Sequence, residues 1–272
     1  MQKNGIRNGE SEPVNDDILQ AGDFTFEPYN PGIGGDSGAL QLATAKAAPK
    51  IQYIVKNATP ELACNEYIYH KIASALGLNT PEVKLFRNSP KLKYAAGIRF
   101  IANAQKYIYD KNADDDAGRF ADFCAFQTLY VILNEEDSQE FYLDGQGRLF
   151  KLDNAASFNI ESYDIVLIDR KNKQDALKIF EAKLNFTEYD KYGIILRILT
   201  ERYGAAGKNA CLSMFKRFSV FDEKALDDAL ESLDNVYPVE LGDYYLKFVI
   251  SRTALCERFL REYEEDKQGK GQ

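Results

Sequence analysis

The chain has 272 residues, with 42 acidic against 34 basic side chains and a formal net charge of -8, so there is no basic excess to neutralise a nucleic-acid backbone. Its 45% hydrophobic and 28% charged residues are those of a globular protein long enough for one large domain or two lobes, and no run of about 18 apolar residues is present to span a membrane. Cys64, Cys124, Cys211 and Cys256 lie far apart without CxxC spacing, which excludes a structural zinc site and predicts buried reduced thiols; the single histidine, His70, excludes a centre built on several imidazoles.

Residues 1–22 are polar and rich in Asn, Gly, Glu and Asp, and are expected to be disordered. They hold no apolar signal core, which predicts a cytoplasmic chain or one exported without a signal peptide. A first strand is expected at Phe24 to Phe26. Gly32, Gly34, Gly35 and Gly38 then surround Asp36 and Ser37, and a glycine loop of this kind lets backbone N–H groups converge on an anion such as phosphate. It has neither the Walker spacing nor a strict GxGxxG, and a plain glycine-rich hairpin is the simpler alternative.

Strands are expected at Ala39 to Thr44 and at Ile51 to Lys56. In the latter, alternation puts Ile51, Tyr53 and Val55 on one face and Ile54 and Lys56 on the other. Thr59-Pro60-Glu61 starts a helix with a hydroxyl cap, a proline in the first turn and an acid, and Gly77 stops it. Leu62, Glu66, Tyr69, Ala73 and Leu76 recur at steps of four and three, so Glu66 falls within the stripe that faces the core. A charge there needs a partner, and Lys56, one short turn away, is the nearest candidate. The plain alternative is an edge lysine and a rim glutamate, both solvated. His70 reads as a structural or surface residue.

Two more strands, Thr80 to Phe86 and Tyr94 to Ile101, complete a small antiparallel sheet with one helix. Lys111 to Gly118 is an acidic connector, and helical spacing then dominates: Phe120 to Leu133, Asp175 to Leu184, Lys191 to Tyr203, Asn209 to Phe218, Glu223 to Val236 and Leu241 to Tyr263. Strands first and helices after predict an α+β fold of two lobes, divided as a disordered segment 1–22, a sheet lobe 23–101, a helical lobe 102–264 and a frayed tail 265–272.

Within the helical part, Phe141 to Leu143 and Leu149 to Leu152 flank an Asp-Gly-Gln-Gly turn and read as a hairpin, with Asp137 before it and Asp153 after it. Two carboxylates at one edge suit the acid and base of a glycosidase, or ligands for a hard cation such as Mg²⁺ together with Asn134, Asn154 or a substrate phosphate. Glu135, Glu136 and Glu140 read most simply as solubilising surface acids. Asp153 does not, because Leu149 to Leu152 and Ala155 to Phe158 enclose it in apolar sequence.

The order of these parts resembles a kinase active site: a glycine-rich loop, a lysine ending a strand, a glutamate in the next helix, an Asn/Asp loop, a hairpin and a second Asp. The local spellings resemble the HipA-like serine/threonine kinases, especially their small single-chain members. They are carried by Gly34-Gly35-Asp36-Ser37-Gly38, Tyr53 to Lys56, Asn65-Glu66, Ile72 to Leu78 with Pro81, Arg99-Phe100, Asn134 to Asp137 and Asp153-Asn154, over roughly residues 24 to 160.

The resemblance implies a bilobal protein-kinase-like fold that binds ATP and Mg²⁺ and phosphorylates Ser or Thr of a protein or of itself. In it Lys56 holds the α and β phosphates and pairs with Glu66, Asp153 binds metal and Asp137 is the base. The backbone of Gly34 to Gly38 covers the phosphates, with Ser37 as a self-phosphorylation site. The family's catalytic loop reads N-x-D-R-H-x-x-N, whereas Asn134-Glu135-Glu136-Asp137-Ser138-Gln139-Glu140 has one extra residue before the Asp and lacks the Arg, the His and the second Asn. Asn134 and Glu140 then join Asp153 as metal candidates, with Asp144 as a further stand-in. A nucleotide-binding pseudokinase, or a lipid or small-molecule kinase of the same fold, is the alternative. No motif specifies the acceptor or the oligomeric state.

Overall fold

The structure is a computed structural model that describes residues 17–29, 40–56, 60–110, 116–137, 139–158, 189–234 and 239–269. Its first lobe is a six-stranded sheet in the order β1-β5-β6-β4-β3-β2. β2 (Phe24–Pro28), β3 (Leu40–Ala45) and β4 (Gln52–Lys56) form an antiparallel meander, β5 (Val83–Arg87) and β6 (Tyr94–Arg99) pair antiparallel, and β1 (Ile18–Gln20) adds parallel to β5. The helix α1 (Pro60–Ala75) packs on β5 and β6.

The alternation expected in β4 holds. Tyr53 and Val55 are buried with Phe24, Ala43, Phe86 and Ala95 in a layer of their own, where Phe24, Tyr53 and Phe86 meet edge to face, leaving Lys56 on the α1 side. Gly97 keeps that layer closed, because a Cβ at this position would lie 2.3 Å from a ring carbon of Phe86. Gly97→Val is expected to destabilise the protein by about 1–3 kcal/mol through overpacking, read as a lowered thermal midpoint. A midpoint equal to that of the wild type would show that the aromatic layer yields.

The stop at Gly77 is a Schellman turn. Gly77 sits at φ 73°, its N–H donates to Ser74 C=O at 2.8 Å, and the Leu78 N–H donates to Ala73 C=O at 2.9 Å. The expected start at Thr59 lies outside the described residues, as do the glycine-rich stretch Gly34, Gly35, Asp36, Ser37 and Gly38 and the expected helix Asp175 to Leu184.

Disorder through residue 22 is not what the structure shows for residues 17 to 22. Asp17 accepts hydrogen bonds from Lys71 at 2.7 Å, Lys84 at 2.9 Å and Tyr67 at 2.6 Å, and these tie β1 to α1 and β5. Burial alone would raise the Asp17 pKa, but its three donors bring it down to about 2 from 3.8. A depressed carboxylate contributes stability that is complete above its unfolded pKa and is lost as pH falls through the folded one. Acid unfolding of Asp17→Asn is therefore expected to lack a component on the order of 1–2 kcal/mol that the wild type loses between about pH 4 and 2. Identical acid profiles would remove that role.

The second lobe is built on α2 (Ala117–Ile132), capped by the Asp116 side chain accepting from the Arg119 N–H, and on α3 (Asp190–Ser219), α4 (Asp227–Asp234) and α5 (Val239–Gly269). Two separate helices were expected within α3, and it is two helical stretches joined by a kink at Gly204, with φ 64° and ψ -145°. A 3₁₀ turn at Glu223–Leu226 precedes α4, and α5 continues to Gly269, into the stretch expected to fray. A three-stranded antiparallel sheet, β7 (Gln105–Tyr107), β8 (Glu140–Leu143) and β9 (Leu149–Leu152), contains the expected hairpin.

The lobes share a core. Buried residues continue from Tyr67, Ile68 and Ile72 of α1 to Phe215 of α3 and Phe248 of α5, and the Tyr245 hydroxyl donates to Asn65 at 2.6 Å. All four cysteines are buried free thiols. Among the described residues no helix is long and apolar enough to cross a membrane.

Candidate functional site

Lys56 ends β4 with its ammonium between two carboxylates, 3.0 Å from Glu66 Oε2 and 2.7 Å from Asp153 Oδ1. Glu66 projects from the middle of α1 and is 0% exposed, so the solvated alternative for this pair is excluded. Burial alone would raise the Glu66 pKa, but the Lys56 charge and the His70 hydrogen bond hold it well below the carboxylate range. Burial likewise disfavours the Lys56 ammonium, and the two carboxylates more than reverse this, holding its pKa above the usual lysine value.

Glu66 is fixed on every side. Its Oε1 lies 3.0 Å from His70 Nε2 and accepts from Asn154 Nδ2 at 3.2 Å, while Oε2 accepts from the Asn154 backbone N–H at 3.1 Å. Burial keeps His70 below its ordinary pKa. The neutral ring then donates from Nε2 to Glu66 and accepts at Nδ1 from the Thr80 hydroxyl. His70 is thus the structural residue expected, and it orients Glu66.

Asp153 follows β9 in a left-handed conformation, φ 62°, that turns its half-buried carboxylate toward Lys56. Non-glycine residues held there cost about 1–3 kcal/mol and cluster at functional sites. Three of the five such residues among the described ones, Asn134, Asp153 and Phe158, fall in the two loops that meet here. Those loops run side by side: the Phe158 N–H donates to Leu133 C=O at 2.8 Å and the Glu136 N–H to Ala156 C=O at 2.9 Å. Asp137, one residue further on in the first loop, is exposed.

Of the other candidates, Asn134 is buried in the first loop. Glu140 lies opposite Leu152 at the Asp153 end of the hairpin, but it accepts from Lys106 at 2.9 Å and from the Tyr142 hydroxyl at 3.0 Å. Asp144 is removed as a stand-in. It braces the hairpin turn by accepting from the Gln146 and Arg148 N–H groups, a strand length of about 13 Å from the Asp153 end. Among the described residues no three His, Cys, Asp or Glu side chains converge as a metal cage. Mg²⁺ at a phosphate site needs less, one or two carboxylates plus phosphate oxygens, and the half-buried Asp153 carboxylate fits that demand.

The run Glu135-Glu136 predicts a surface position for Glu135. The structure buries it completely, paired with Lys151, because the chain turns inward after α2 and the Glu135 N–H caps Tyr130 C=O at 3.0 Å. The signal was the lysine inside Leu149-Phe150-Lys151-Leu152, which needs a buried acid.

No family model and no curated protein matches the sequence. Among solved structures, the crystal structure of a Helicobacter pylori proinflammatory kinase, CtkA, is similar with a TM-score of 0.59 over 90% of this chain and 98% of that one, at 12% identity. A likeness at this identity is one of fold, and this chain has a bilobal kinase-like fold.

Proposed function

We propose that this chain is an ATP-dependent kinase of the HipA-like type, which transfers the γ-phosphate to a Ser or Thr hydroxyl of a protein, itself included. The observation that carries the reading is the Lys56 ammonium held jointly by Glu66 of the sheet lobe and Asp153 of the helical lobe. Such a pair is a poor source of stability and a good way to fix a charge where phosphates bind. Lys56 places that charge on the α and β phosphates, and Asp153 offers its carboxylate to Mg²⁺, with Asn134 or Glu140 as the further oxygen donor. Bound Mg²⁺ supplies neutralisation of the phosphate charge. Asp137 orients the acceptor hydroxyl and takes its proton as the new O–P bond forms, and the bond from the γ-phosphorus to the β-bridging oxygen breaks to release ADP.

A second reading, nucleotide binding without turnover, is favoured by one observation: Glu140, the remaining candidate for the missing second Asn, is already held by Lys106 and Tyr142. Both readings are tested by incubating the protein with ATP, Mg²⁺, casein, phosphoinositide vesicles and glycerol, then mapping phosphate by mass spectrometry. Phosphoserine or phosphothreonine, on casein or on this chain at Ser37 or elsewhere, supports the kinase. Phosphate only on lipid or glycerol changes the acceptor class, and ATP bound without transfer establishes the pseudokinase.

A further inference from the structure

Glu135 and Lys151 form the most deeply buried ion pair among the described residues, each side chain 0% exposed. Such a pair adds little stability, because desolvation offsets the attraction. Burial pushes Glu135 up to about 7 despite Lys151, and pushes Lys151 down despite Glu135. The second Glu135 oxygen, moreover, makes no hydrogen bond. Apolar side chains of the same volume would fill the space as well.

What they would not reproduce is connectivity. Glu135 lies in the loop that delivers Asp137, and Lys151 lies on β9 two residues before Asp153. The Lys151 ammonium donates to Glu135 Oε1, to Asn154 Oδ1 and, at 3.4 Å, to Asp153 C=O. Asn154 gives its backbone N–H and its side-chain amide to Glu66. One buried ammonium therefore joins the Asp137 loop, the Asp153 turn and, through Asn154, the glutamate that anchors Lys56.

We propose that Glu135 and Lys151 are positioning residues, a buried cross-link that sets the spacing between the Asp137 loop and the Asp153 turn. Its kinetic consequence rests on the phosphotransfer reading above. Its structural consequence does not, because the hydrogen bonds Glu136 N–H to Ala156 C=O and Phe158 N–H to Leu133 C=O report the loop spacing directly.

The test is the double variant Glu135→Leu/Lys151→Met, which removes both charges, keeps the volume and leaves no lone buried ion. It is expected to fold with a thermal midpoint no lower than that of the wild type. Transfer should fall at least about tenfold with KM for ATP changed by less than about threefold, the mark of lost positioning. Amide exchange at Glu136 and Phe158 should accelerate by about tenfold or more while β8 and β9 stay protected. A lowered midpoint with transfer per folded molecule unchanged and both loop amides protected overturns the proposal, and so does failure to fold, since the pair would then be holding the fold itself. A wild type that transfers no phosphate removes only the phosphotransfer reading, and exchange at the two loop amides then decides the cross-link alone.

Discussion

Lys56→Met is expected to cut phosphate transfer by about 10²- to 10³-fold, as removal of one charge-stabilising group at a transition state does. It should also destabilise the protein by about 3–5 kcal/mol at pH 7, because Glu66 is left buried without its cation. The response to acid should change with it. In the wild type, Lys56 and His70 hold the Glu66 pKa below its ordinary 4.5 against the effect of burial, so this group's stabilisation is complete above 4.5 and lost only below it. Without the ammonium, burial dominates, and the Glu66–His70 couple takes up a proton on folding. The folded-state affinity for that proton is then raised, so stability grows as pH falls from 7 toward 5. Glu135, pushed up to about 7, adds the same rising slope to both proteins, and the difference between them reports Glu66. Thermal melts of the two proteins at pH 7, 6 and 5 check this. Parallel curves would mean that Glu66 does not depend on Lys56.

Asp153→Asn separates charge from shape. Asparagine tolerates the left-handed conformation seen at φ 62° and keeps the side-chain volume, so the turn after β9 is retained and stability should change by less than about 1 kcal/mol. What is lost is the anionic oxygen that faces Lys56 at 2.7 Å and is proposed to hold Mg²⁺. Transfer is expected to fall by at least about 10²-fold, while ATP binding measured without Mg²⁺ persists, because Lys56 stays fixed by Glu66. Transfer at the wild-type rate in Asp153→Asn would remove Asp153 from the metal role.

The lysine, the glutamate and the second aspartate were legible because each breaks a local pattern. Lys56 ends an alternating strand, Glu66 interrupts an apolar helical stripe, and Asp153 sits in apolar sequence. A residue that violates its own period has to be explained by something across the fold. Glu135 was not legible, since three acids in succession give no clue as to which one turns inward; that depends on where α2 ends and on Lys151 across the loop. β1 and β7 were missed for a related reason. Ile18–Gln20 and Gln105–Tyr107 are three residues each, and they become strands only by pairing with β5 and β8 far along the chain. The kink at Gly204 divides α3 into the two stretches whose helical spacing was visible, and its backbone angle is one that glycine adopts without a Cβ penalty.

We read Lys56, Glu66 and Asp153 as a phosphotransfer centre served by Asp137. It is tested most directly by incubating the purified protein with Mg²⁺ and γ-labelled ATP beside Asp137→Ala and Asp153→Ala. Label is expected on a serine or threonine of the wild type and on neither variant. Wild-type protein that stays unlabelled, whether or not it binds ATP, or label undiminished on either variant, would contradict it.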